Sequence, residues 1–399
     1  MDSVFTHIFL LASVQGFLLA ILLFVRKQNH AANTVLSVLV GVLSLDLLQA
    51  IYYTNHLYNE YPHLMGITYV FPFIYGPLFY LYSLLLTSEK LKLGRRDFLH
   101  FLPALVILMY TSWVYFLTGA EKIDFIHLMN TNRPLKFVII DNLRPFQGLI
   151  YTIVTIRVIA RYNRRIRNVF SNIDRINLLW LRSLTIGVAI IWSVVIAGVV
   201  ASHVVSLRPL GFDSAIYFCI SLLIYTIGYM GLNQPEVFRQ STTDVLLRSV
   251  QATAEEPPGR YAKSGLSDSS ANEILTRLQV LMETDKPYLN GDLTLGKLAD
   301  LISVSPHNLS EALNTRQKQS FYDYVNSYRV SEVKRRLRDG DAETYSLLSI
   351  AYDSGFTSKT SFNTIFKRHT GMTPSQFIEL HAPTSFGPKG RAVQQEETE

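Results

Sequence analysis

Apolar residues dominate the N-terminal half of the chain and fall into seven long runs. The runs cover residues 4–25, 34–53, 66–86, 98–118, 137–160, 181–204 and 212–232. Each is close to the roughly twenty residues that an α-helix needs to cross the hydrocarbon core of a bilayer. The pattern therefore predicts a seven-helix transmembrane bundle, acting as a sensor or an anchor, in residues 1–232.

Positively charged residues are concentrated in alternate loops between these runs. Arg26 and Lys27 follow the first run, and further lysines and arginines follow the third and the fifth. Because short cytoplasmic loops are enriched in such residues, the asymmetry predicts a multi-pass protein of the inner (cytoplasmic) membrane, with its N-terminus outside and its C-terminus in the cytoplasm. A signal peptide would carry its charges before the apolar run, so the first run is predicted to be a retained helix.

Polar side chains interrupt several runs, although they are costly in lipid and usually face the interior of a bundle. Asp46, Gln49, Tyr75 and Arg144 are the candidate ligand-binding residues of such an interior. In this hypothesis Asp46 is a proton-sensitive group and Arg144 is a partner for an anionic ligand. The alternative is a set of hydrogen bonds or ion pairs between helices that only fix their packing.

Two other functions of the bundle are not favoured. A retinal-type photoreceptor needs a lysine within a span, and the run 212–232 contains none. The histidines of the first half lie mainly at the ends of runs and in loops, without a helical pair, so no metal site is predicted. Cys219 is the single cysteine, which leaves no disulfide framework.

The composition changes after Asn233. Residues 233–270 have few apolar side chains and contain Glu255-Glu256-Pro257-Pro258-Gly259, in which proline and glycine interrupt regular structure. They predict a flexible linker, which reaches on the order of 30 Å as a coil. The last residues, 381–399, are predicted to be a disordered tail.

Helical periodicity returns at residue 271, where one structural plan occurs twice. In the second copy, Ala351 precedes a turn at Gly355, Ser358 is a predicted N-cap, and Phe362 begins an apolar stripe. In the first copy, Ala299 occupies the position of Ala351, 52 residues earlier. Each copy therefore predicts two short helices that meet at a turn, and a long helix joins the copies.

The second copy carries a specific resemblance. Its distinctive residues are Ala351, Gly355-Phe356, Phe362, Phe366-Lys367 and Gly371-Met372-Thr373-Pro374. In this spacing they resemble the second helix-turn-helix of AraC-type (AraC/XylS) transcription regulators. The long helix that opens with Phe321-Tyr322-Asp323 is similar to the linker helix of that family. The resemblance covers about residues 272–380 and implies a DNA-binding domain, here assigned to residues 271–380, with two helix-turn-helix units.

Two positions depart from the family pattern. Gln317-Lys318-Gln319 stands where the family commonly has a glycine, which predicts a wider turn before the linker helix. Phe377-Ile378 stands where the family often has an aromatic residue and an arginine, and this removes one phosphate contact that the resemblance would imply.

The polar face of the second helix in each copy is the candidate DNA-reading surface. Short hydrogen-bonding groups and cations on such a face suit base edges and phosphates in a major groove. The candidate residues are His307, Ser310, Glu311, Asn314 and Lys318 in the first copy, and Lys359, Thr360, Asn363, Thr364, Lys367 and Arg368 in the second. The alternative for each of them is an ordinary solvated surface.

Charge gives limited support for nucleic-acid binding. The whole chain has a formal net charge of +6, but lysines and arginines equal aspartates and glutamates in number between residues 271 and 380. A domain without net positive charge has to bind DNA through cations arranged on one face and through helix N-termini that point at phosphates.

The sequence therefore predicts an all-α protein in which a seven-helix bundle precedes two helix-turn-helix units. The predicted function is a membrane-bound one-component transcription regulator, not an enzyme, without cofactor or metal. Its expected partners are double-stranded DNA and the lipid bilayer, with a small-molecule or membrane signal and RNA polymerase as candidates; the oligomeric state stays open. The alternatives are a membrane transporter or enzyme with an autoregulatory DNA-binding domain, and a passive membrane anchor released by proteolysis.

Overall fold

The computed structural model describes residues 2–27, 29–88, 92–174, 176–204, 212–232 and 266–381. The chain divides into two compact units. The first unit comprises Met1–Tyr162 and Leu178–Pro235, and the second comprises Asn163–Asn177 and Glu236–Glu399. Most of the predicted linker and nearly all of the predicted tail lie outside the described residues. We call Asn163–Asn177 the strap, because it belongs to the second unit although the chain on both sides of it belongs to the first.

The first unit is built from helices, most of which are apolar. They are α1 Asp2–Val25, α2 His30–Thr54, α3 Pro72–Thr87, α4 Leu102–Thr111, α5 Gly119–Thr131, α6 Leu135–Val169, whose last residues enter the strap, α7 Leu179–Val204 and α8 Phe212–Leu232. Short 3-10 segments extend α4 on both sides, at Arg95–Phe101 and Ser112–Phe116. Within the unit, α2 packs against α1 and α3, and α8 packs against α1 and α7.

Each predicted run coincides with a helix, but seven spans are not clearly present. Among the residues that the structure describes, four helices are long and apolar enough to cross a membrane: Val4–Val25, His30–Thr54, Arg95–Phe116 and Leu179–Ala201. The other apolar helices, Pro72–Thr87 and Ser214–Met230, are shorter than a typical span. Helix α6 carries charged side chains inside the predicted run. The seven-span prediction is thus supported only as a bundle containing several apolar helices.

Local chemistry explains two differences from the predicted elements. Pro72 occupies the first turn of α3, where its missing N–H costs nothing, so the helix begins six residues after the start of the apolar run at residue 66. Helix α5 lies in a region predicted as a loop. Its start is fixed by a capping box, in which the Thr118 side chain accepts from Glu121 N and the Glu121 carboxylate accepts from Thr118 N.

The second unit contains short helices with a repeated start signal. They are α9 Asp268–Thr284, α10 Leu295–Leu301, α11 Pro306–Arg316, α12 Phe321–Arg338, α13 Leu347–Asp353, α14 Lys359–Thr370 and α15 Pro374–His381. Most begin at a serine or threonine whose hydroxyl accepts a hydrogen bond from the backbone N–H three residues later. The N-cap residues are Ser267, Thr294, Ser305, Ser320, Ser346 and Ser358.

Two apolar clusters form the interior of the second unit. The first contains Leu278, Leu298 and Leu309 and reaches the N-terminal part of α12. The second contains Ile350 and Phe366 and reaches the C-terminal part of α12. Helix α12 therefore contributes to both clusters and joins the two helix-turn-helix units, as the sequence predicted.

The predicted internal repeat is confirmed in atomic detail. Val304 N donates to Ala299 O over 3.0 Å, and Phe356 N donates to Ala351 O over 3.1 Å. The turn residue before each donor has a left-handed backbone, with φ of 54° at Ser303 and 91° at Gly355. The same turn therefore recurs with different residues at its most demanding position.

Candidate functional sites

Helix α14 presents the second candidate reading face. Ser358 caps its N-terminus by accepting from Ser361 N over 3.1 Å, and Gly371, with φ of 80°, ends it. Its inner side places Phe362 and Phe366 in the core. The outer side leaves the predicted residues Lys359, Thr360, Asn363, Thr364, Lys367 and Arg368 exposed. The structure thus brings these six side chains to the open side of one helix.

The cations on α14 are not equivalent. Within the part of the chain that the structure describes, Lys359 and Lys367 form no ion pair. Arg368 pairs with Asp323 at 2.7 Å, and the guanidinium also lies against the ring of Tyr322. The two lysines are therefore the better candidates for phosphate contacts, because Arg368 would first have to leave its carboxylate.

Intrahelical and neighbouring ion pairs explain how a domain without net charge can still expose cations. Arg335 pairs with Glu332 and Asp339, both on or just after α12. Arg336 pairs with Asp341 and Asp353. These contacts neutralise the basic cluster at the end of α12 with acidic residues. Four acidic residues are thus engaged at the end of α12, whereas α14 itself contains no acidic residue.

Helix α11 presents the first candidate reading face, which is less open. His307, Ser310 and Asn314 are partly exposed, and Asn314 Nδ2 donates to Ser310 Oγ over 3.2 Å. Glu311 differs from the prediction, because it is only 6% exposed and its carboxylate lies 3.7 Å from His307 Nε2. A carboxylate buried in this way does not lie on an open reading face.

Lys318 also differs from its predicted position. Helix α11 ends at Arg316, so Lys318 lies in the following loop and not on the reading face. It is exposed and adopts a left-handed backbone with φ of 52°. A non-glycine residue pays a steric cost in this region. A glycine in this loop, which the resemblance to AraC-type regulators implies, would avoid that cost.

Sequence reasoning missed the polar junction between the two helix-turn-helix units. Arg329, in the middle of α12, is 1% exposed and donates to the carbonyl oxygens of Tyr288 and Asn290, each over 2.8 Å. Burial lowers the pKa of its guanidinium to about 10, so it stays protonated at neutral pH. An arginine within a helix that reads as mostly polar gives no sequence signal of complete burial.

Gly355 fits tightly against the same junction. A Cβ added to this residue would collide with the carbonyl oxygen of Tyr288 and approach the guanidinium of Arg329. The turn of the second copy therefore requires glycine for two reasons, its left-handed backbone and its close contact with the first half of the unit. In the first copy, Ser303 occupies the equivalent position.

The first unit contains a cavity of about 720 Å³. All four candidate ligand-binding residues, Asp46, Gln49, Tyr75 and Arg144, line it. Its walls come mainly from α2, α3, α6, α7 and α8, and most of the lining is apolar or aromatic. This size lies within the range of small-molecule binding cavities in proteins.

Two clusters among the polar groups that line the cavity contain candidate residues. In one, Tyr75 OH donates to Asp46 Oδ2 over 2.8 Å. In the other, Arg133 and Arg144 each lie 3.0 Å from the carboxylate of Asp141. Two guanidiniums and one carboxylate leave an excess positive charge in this second cluster. Arg144 Nε is buried and has no hydrogen-bond partner within the described residues.

Gln49 adds an amide to the wall of the cavity. Gln49 Nε2 donates weakly to Leu64 O over 3.4 Å, which leaves its amide oxygen as a further acceptor at the wall. In the described ranges there is no group of three or more histidine, cysteine, aspartate or glutamate residues that could hold a metal ion.

A known family matches the C-terminal part of the chain. Residues 298–379 match the family described as "Helix-turn-helix domain". The chain is 32% identical over 84 residues to a Streptomyces lividans protein named as an AraC-like transcription regulator, covering 21% of this chain and 27% of the relative. It is 26% identical over 114 residues to a Proteus vulgaris protein named as the transcription factor PqrA, covering 29% of this chain and 87% of the relative.

A longer relative is similar over a stretch of comparable length. The chain is 26% identical over 115 residues to an uncharacterized HTH-type transcriptional regulator of Staphylococcus aureus (strain COL), covering 29% of this chain and 14% of the relative. The chain thus spans a small part of that relative and of the Streptomyces protein. No solved structure matches the chain significantly. The C-terminal part carries a helix-turn-helix domain of the AraC type, similar to those of proteins named as transcription regulators.

Proposed function

We propose that this chain is a membrane-bound, one-component transcription regulator that binds specific double-stranded DNA through its two helix-turn-helix units. A signal received by the first unit controls that binding. RNA polymerase is a candidate partner at the regulated promoter. The bundle lies in the inner membrane, and the second unit lies in the cytoplasm, where the chromosome is accessible.

The outer side of α14 is the observation that carries the DNA-binding part of this proposal. It combines two lysines without a described ion pair, Lys359 and Lys367, with the amide of Asn363. Amides of asparagine suit adenine edges in the major groove, and lysines suit phosphates and guanine. A second reader, α11, belongs to the same unit, so one chain can contact two stretches of major groove.

Mapping the DNA bound by the full-length protein in cells tests the proposal. We expect discrete bound sites with a shared sequence motif. Asn363→Ala should reduce their occupancy about fivefold or more, because a good base contact contributes roughly 1–3 kcal/mol. Gln279→Ala is the matched control, since it removes an exposed amide of α9 whose described hydrogen bond is to Glu283 of the same helix and not to a reading helix. Binding without a motif, or equal loss in both variants, would contradict specific reading through α14.

The cavity of the first unit is the proposed sensing site. Its apolar walls and its excess positive charge near Arg133 and Arg144 favour a ligand with an apolar body and an anionic group. Asp46, paired with Tyr75, is the proposed second contact. Arg144 lines the cavity beside Asp141, so its guanidinium is the proposed partner of the anionic group.

A panel of medium-chain fatty acids and aromatic carboxylates, matched with the corresponding neutral amides, tests the ligand class. We expect at least one acid to raise the thermal stability of the purified full-length protein, with no shift from its amide. The shift should disappear in Arg144→Gln and persist in Arg157→Gln, a substitution in the same helix outside the cavity lining. Equal shifts from acid and amide would remove the proposed role of the arginines.

Membrane topology needs its own test. Fusions of alkaline phosphatase and green fluorescent protein after residue 232 and after residue 381 distinguish the two sides of the membrane. We expect fluorescence and no phosphatase activity at both points. The opposite result at residue 232 would contradict the proposed combination of seven spans with an outer N-terminus.

The two alternative functions predict different outcomes. A passive anchor predicts that reporter expression depends only on release of the second unit and is unaffected by Asp46→Asn or Arg144→Gln. A transporter or enzyme with an autoregulatory domain predicts uptake or turnover of the ligand by vesicles containing the protein. The proposed sensor predicts altered reporter expression in both cavity variants, with no transport or turnover.

A further inference from the structure

The strap is an integral part of the second unit. Phe170 and Thr294 form an antiparallel bridge, and Ser171 N donates to Leu293 O over 3.3 Å. Ser171 Oγ donates to the same carbonyl oxygen over 2.7 Å. These bonds attach the strap directly before α10, the first helix of the first helix-turn-helix.

The strap also completes the hydrogen bonding of the polar junction. Arg329 donates to Ser171 O and Ser171 Oγ, each over 3.1 Å. Asn326, which is fully buried, donates to Ser171 O over 3.1 Å as well. A buried guanidinium is costly unless its N–H groups are satisfied, and Ser171 supplies two of its acceptors. The junction is therefore built around a residue from the strap.

The same segment continues onto the second helix-turn-helix. Ile173 packs against the apolar cluster of the second copy. Asn172 Nδ2 bonds to Thr357 Oγ1, and Ser358 Oγ donates to Asp174 Oδ2 over 2.6 Å. Ser358 is the N-cap of α14, so the strap contacts the hydroxyl that fixes the start of this reading helix.

An arginine at the start of the strap adds a third attachment. Arg167 pairs with Asp323 at 3.1 Å, the same carboxylate that holds Arg368 of α14. Both guanidiniums also lie against the ring of Tyr322. The strap thus contacts the first copy, the linker helix and the second copy.

We propose that the strap is the regulatory connection of this protein. It holds the two helix-turn-helix units in the arrangement that binds DNA. The helices on either side of the strap control that arrangement. The inference rests on the proposed DNA-binding function. In sequence, the strap begins with the last residues of α6 and ends just before α7, so both of its ends are joined to chain that belongs to the first unit. A change in the separation of those two ends acts on the junction directly, with no need for force through residues 233–265.

The docked strap can be detected by cross-linking in the full-length protein. In a Cys219→Ser background, Asn172→Cys and Thr357→Cys place two thiols at contacting positions. We expect a short bis-maleimide to join them within the chain in native membranes. Asn172→Cys combined with Gln279→Cys is the control and should give little product. Equal yields from both pairs would overturn the docked arrangement.

DNA occupancy then tests what docking does. The cross-linked protein should keep the occupancy of its mapped sites, because the docked state is the competent one. Ser171→Ala, Asn172→Ala and Asp174→Ala should each reduce occupancy, by about tenfold for Ser171→Ala, since it removes an acceptor from a buried arginine. Ser331→Ala, an exposed serine on α12, is the matched control and should remain within twofold of wild type. Loss of occupancy on cross-linking, or unchanged occupancy in all three strap variants, would overturn the proposal.

Changes in chain length distinguish control through the strap from control through the linker. Inserting eight Gly-Ser residues after Gly259 should leave occupancy within twofold of wild type, whereas inserting two glycines after Asn172 should reduce it at least tenfold. The reverse result would assign control to the linker. If wild-type protein binds no specific sites, the proposed function fails, while the cross-link yield still reports whether the strap is docked. Asn172→Ala leaves the Arg329 contacts untouched, so it keeps the test valid if Ser171→Ala fails to fold.

Discussion

The two helix-turn-helix copies share one plan but differ in how open their reading helices are. All six candidate residues of the second copy are exposed on α14. In the first copy, Glu311 is buried, Lys318 lies beyond the helix, and the remaining candidates on α11 are partly exposed. The copies differ again at the turn, where Ser303 and Gly355 hold the same left-handed backbone.

This difference indicates that the two copies have different roles within one DNA-binding unit. The second copy has a turn that only glycine fits and a reading helix whose N-cap is contacted by the strap. The first copy tolerates a serine in its turn and presents fewer groups to solvent. We therefore expect the second copy to supply most of the base recognition and the first copy to supply positioning contacts.

The largest expected effect comes from Gly355→Ala. The new methyl group would overlap the carbonyl oxygen of Tyr288 and would impose a left-handed backbone on alanine, so we expect a loss of roughly 3 kcal/mol or more. Gly371→Ala is the matched control, because it has a similar φ of 80° and open space around its Cβ. That change should cost about 1 kcal/mol. Hydrogen exchange of the amides in α13 and α14 measures the loss of stability in each variant. Equal losses of protection in the two variants would contradict the importance of the close contact between Gly355 and the carbonyl oxygen of Tyr288.

A smaller effect is expected from comparing the two asparagines on the reading faces. Asn363→Ala should weaken binding to the mapped sites by roughly 1–3 kcal/mol, whereas Asn314→Ala should cost less than about 1 kcal/mol, because Asn314 is partly buried and already bonded to Ser310. Titration of the purified protein with a bound fragment measures both affinities. A larger loss of DNA affinity for Asn314→Ala than for Asn363→Ala would reverse the proposed roles of the two copies.

Lys318→Gly distinguishes stability from binding at one position. Glycine removes the steric cost of the left-handed backbone, and after its greater freedom in the unfolded chain is subtracted, we expect a gain of about 0.5 kcal/mol. If Lys318 contacts a phosphate, the same change should reduce the slope of log affinity against log salt concentration by about one unit. Thermal unfolding and affinity at several salt concentrations report these separately. A loss of stability would mean that the lysine side chain makes a contact worth more than the relief of strain.

The smallest expected effect is that of Ser303→Gly. The turn of the first copy has the same backbone strain, with φ of 54°, so a gain of about 0.5 kcal/mol in stability is expected without a change in DNA affinity. Unfolding by denaturant, followed by a spectroscopic signal from the second unit, measures it. Destabilisation would show that the serine side chain supports the turn.

The amino-acid sequence predicted the local structure of the second unit well because its signals are local. Serine and threonine caps, apolar stripes and Gly355 each act within a few residues of their position, and they locate the helices and the repeat. The apolar runs likewise locate helices in the first unit. Whether each helix spans a bilayer is less local, because Pro72 shortens α3 and charged side chains interrupt α6.

Contacts between distant parts of the chain were not predictable in this way. Nothing in the residues around Ser171 distinguishes a cytoplasmic loop from a segment that satisfies Arg329, which lies 158 residues later. Burial of Glu311 has the same origin, since the periodicity of α11 assigns it to the outer face. The four polar residues of the cavity were found because an apolar run makes a polar side chain conspicuous, and their convergence on one cavity depends on packing between helices.

The discontinuity of the second unit restricts how such a protein can be recombined. A domain encoded by one continuous stretch can be exchanged between genes by a single join at its boundary. Here the DNA-binding unit draws on Asn163–Asn177 as well as on the C-terminal residues, so a hybrid joined only within residues 233–265 would pair each strap with a foreign junction. Functional hybrids should need both segments from the same parent. During evolution, amino-acid substitutions in one segment should be compensated by substitutions in the other.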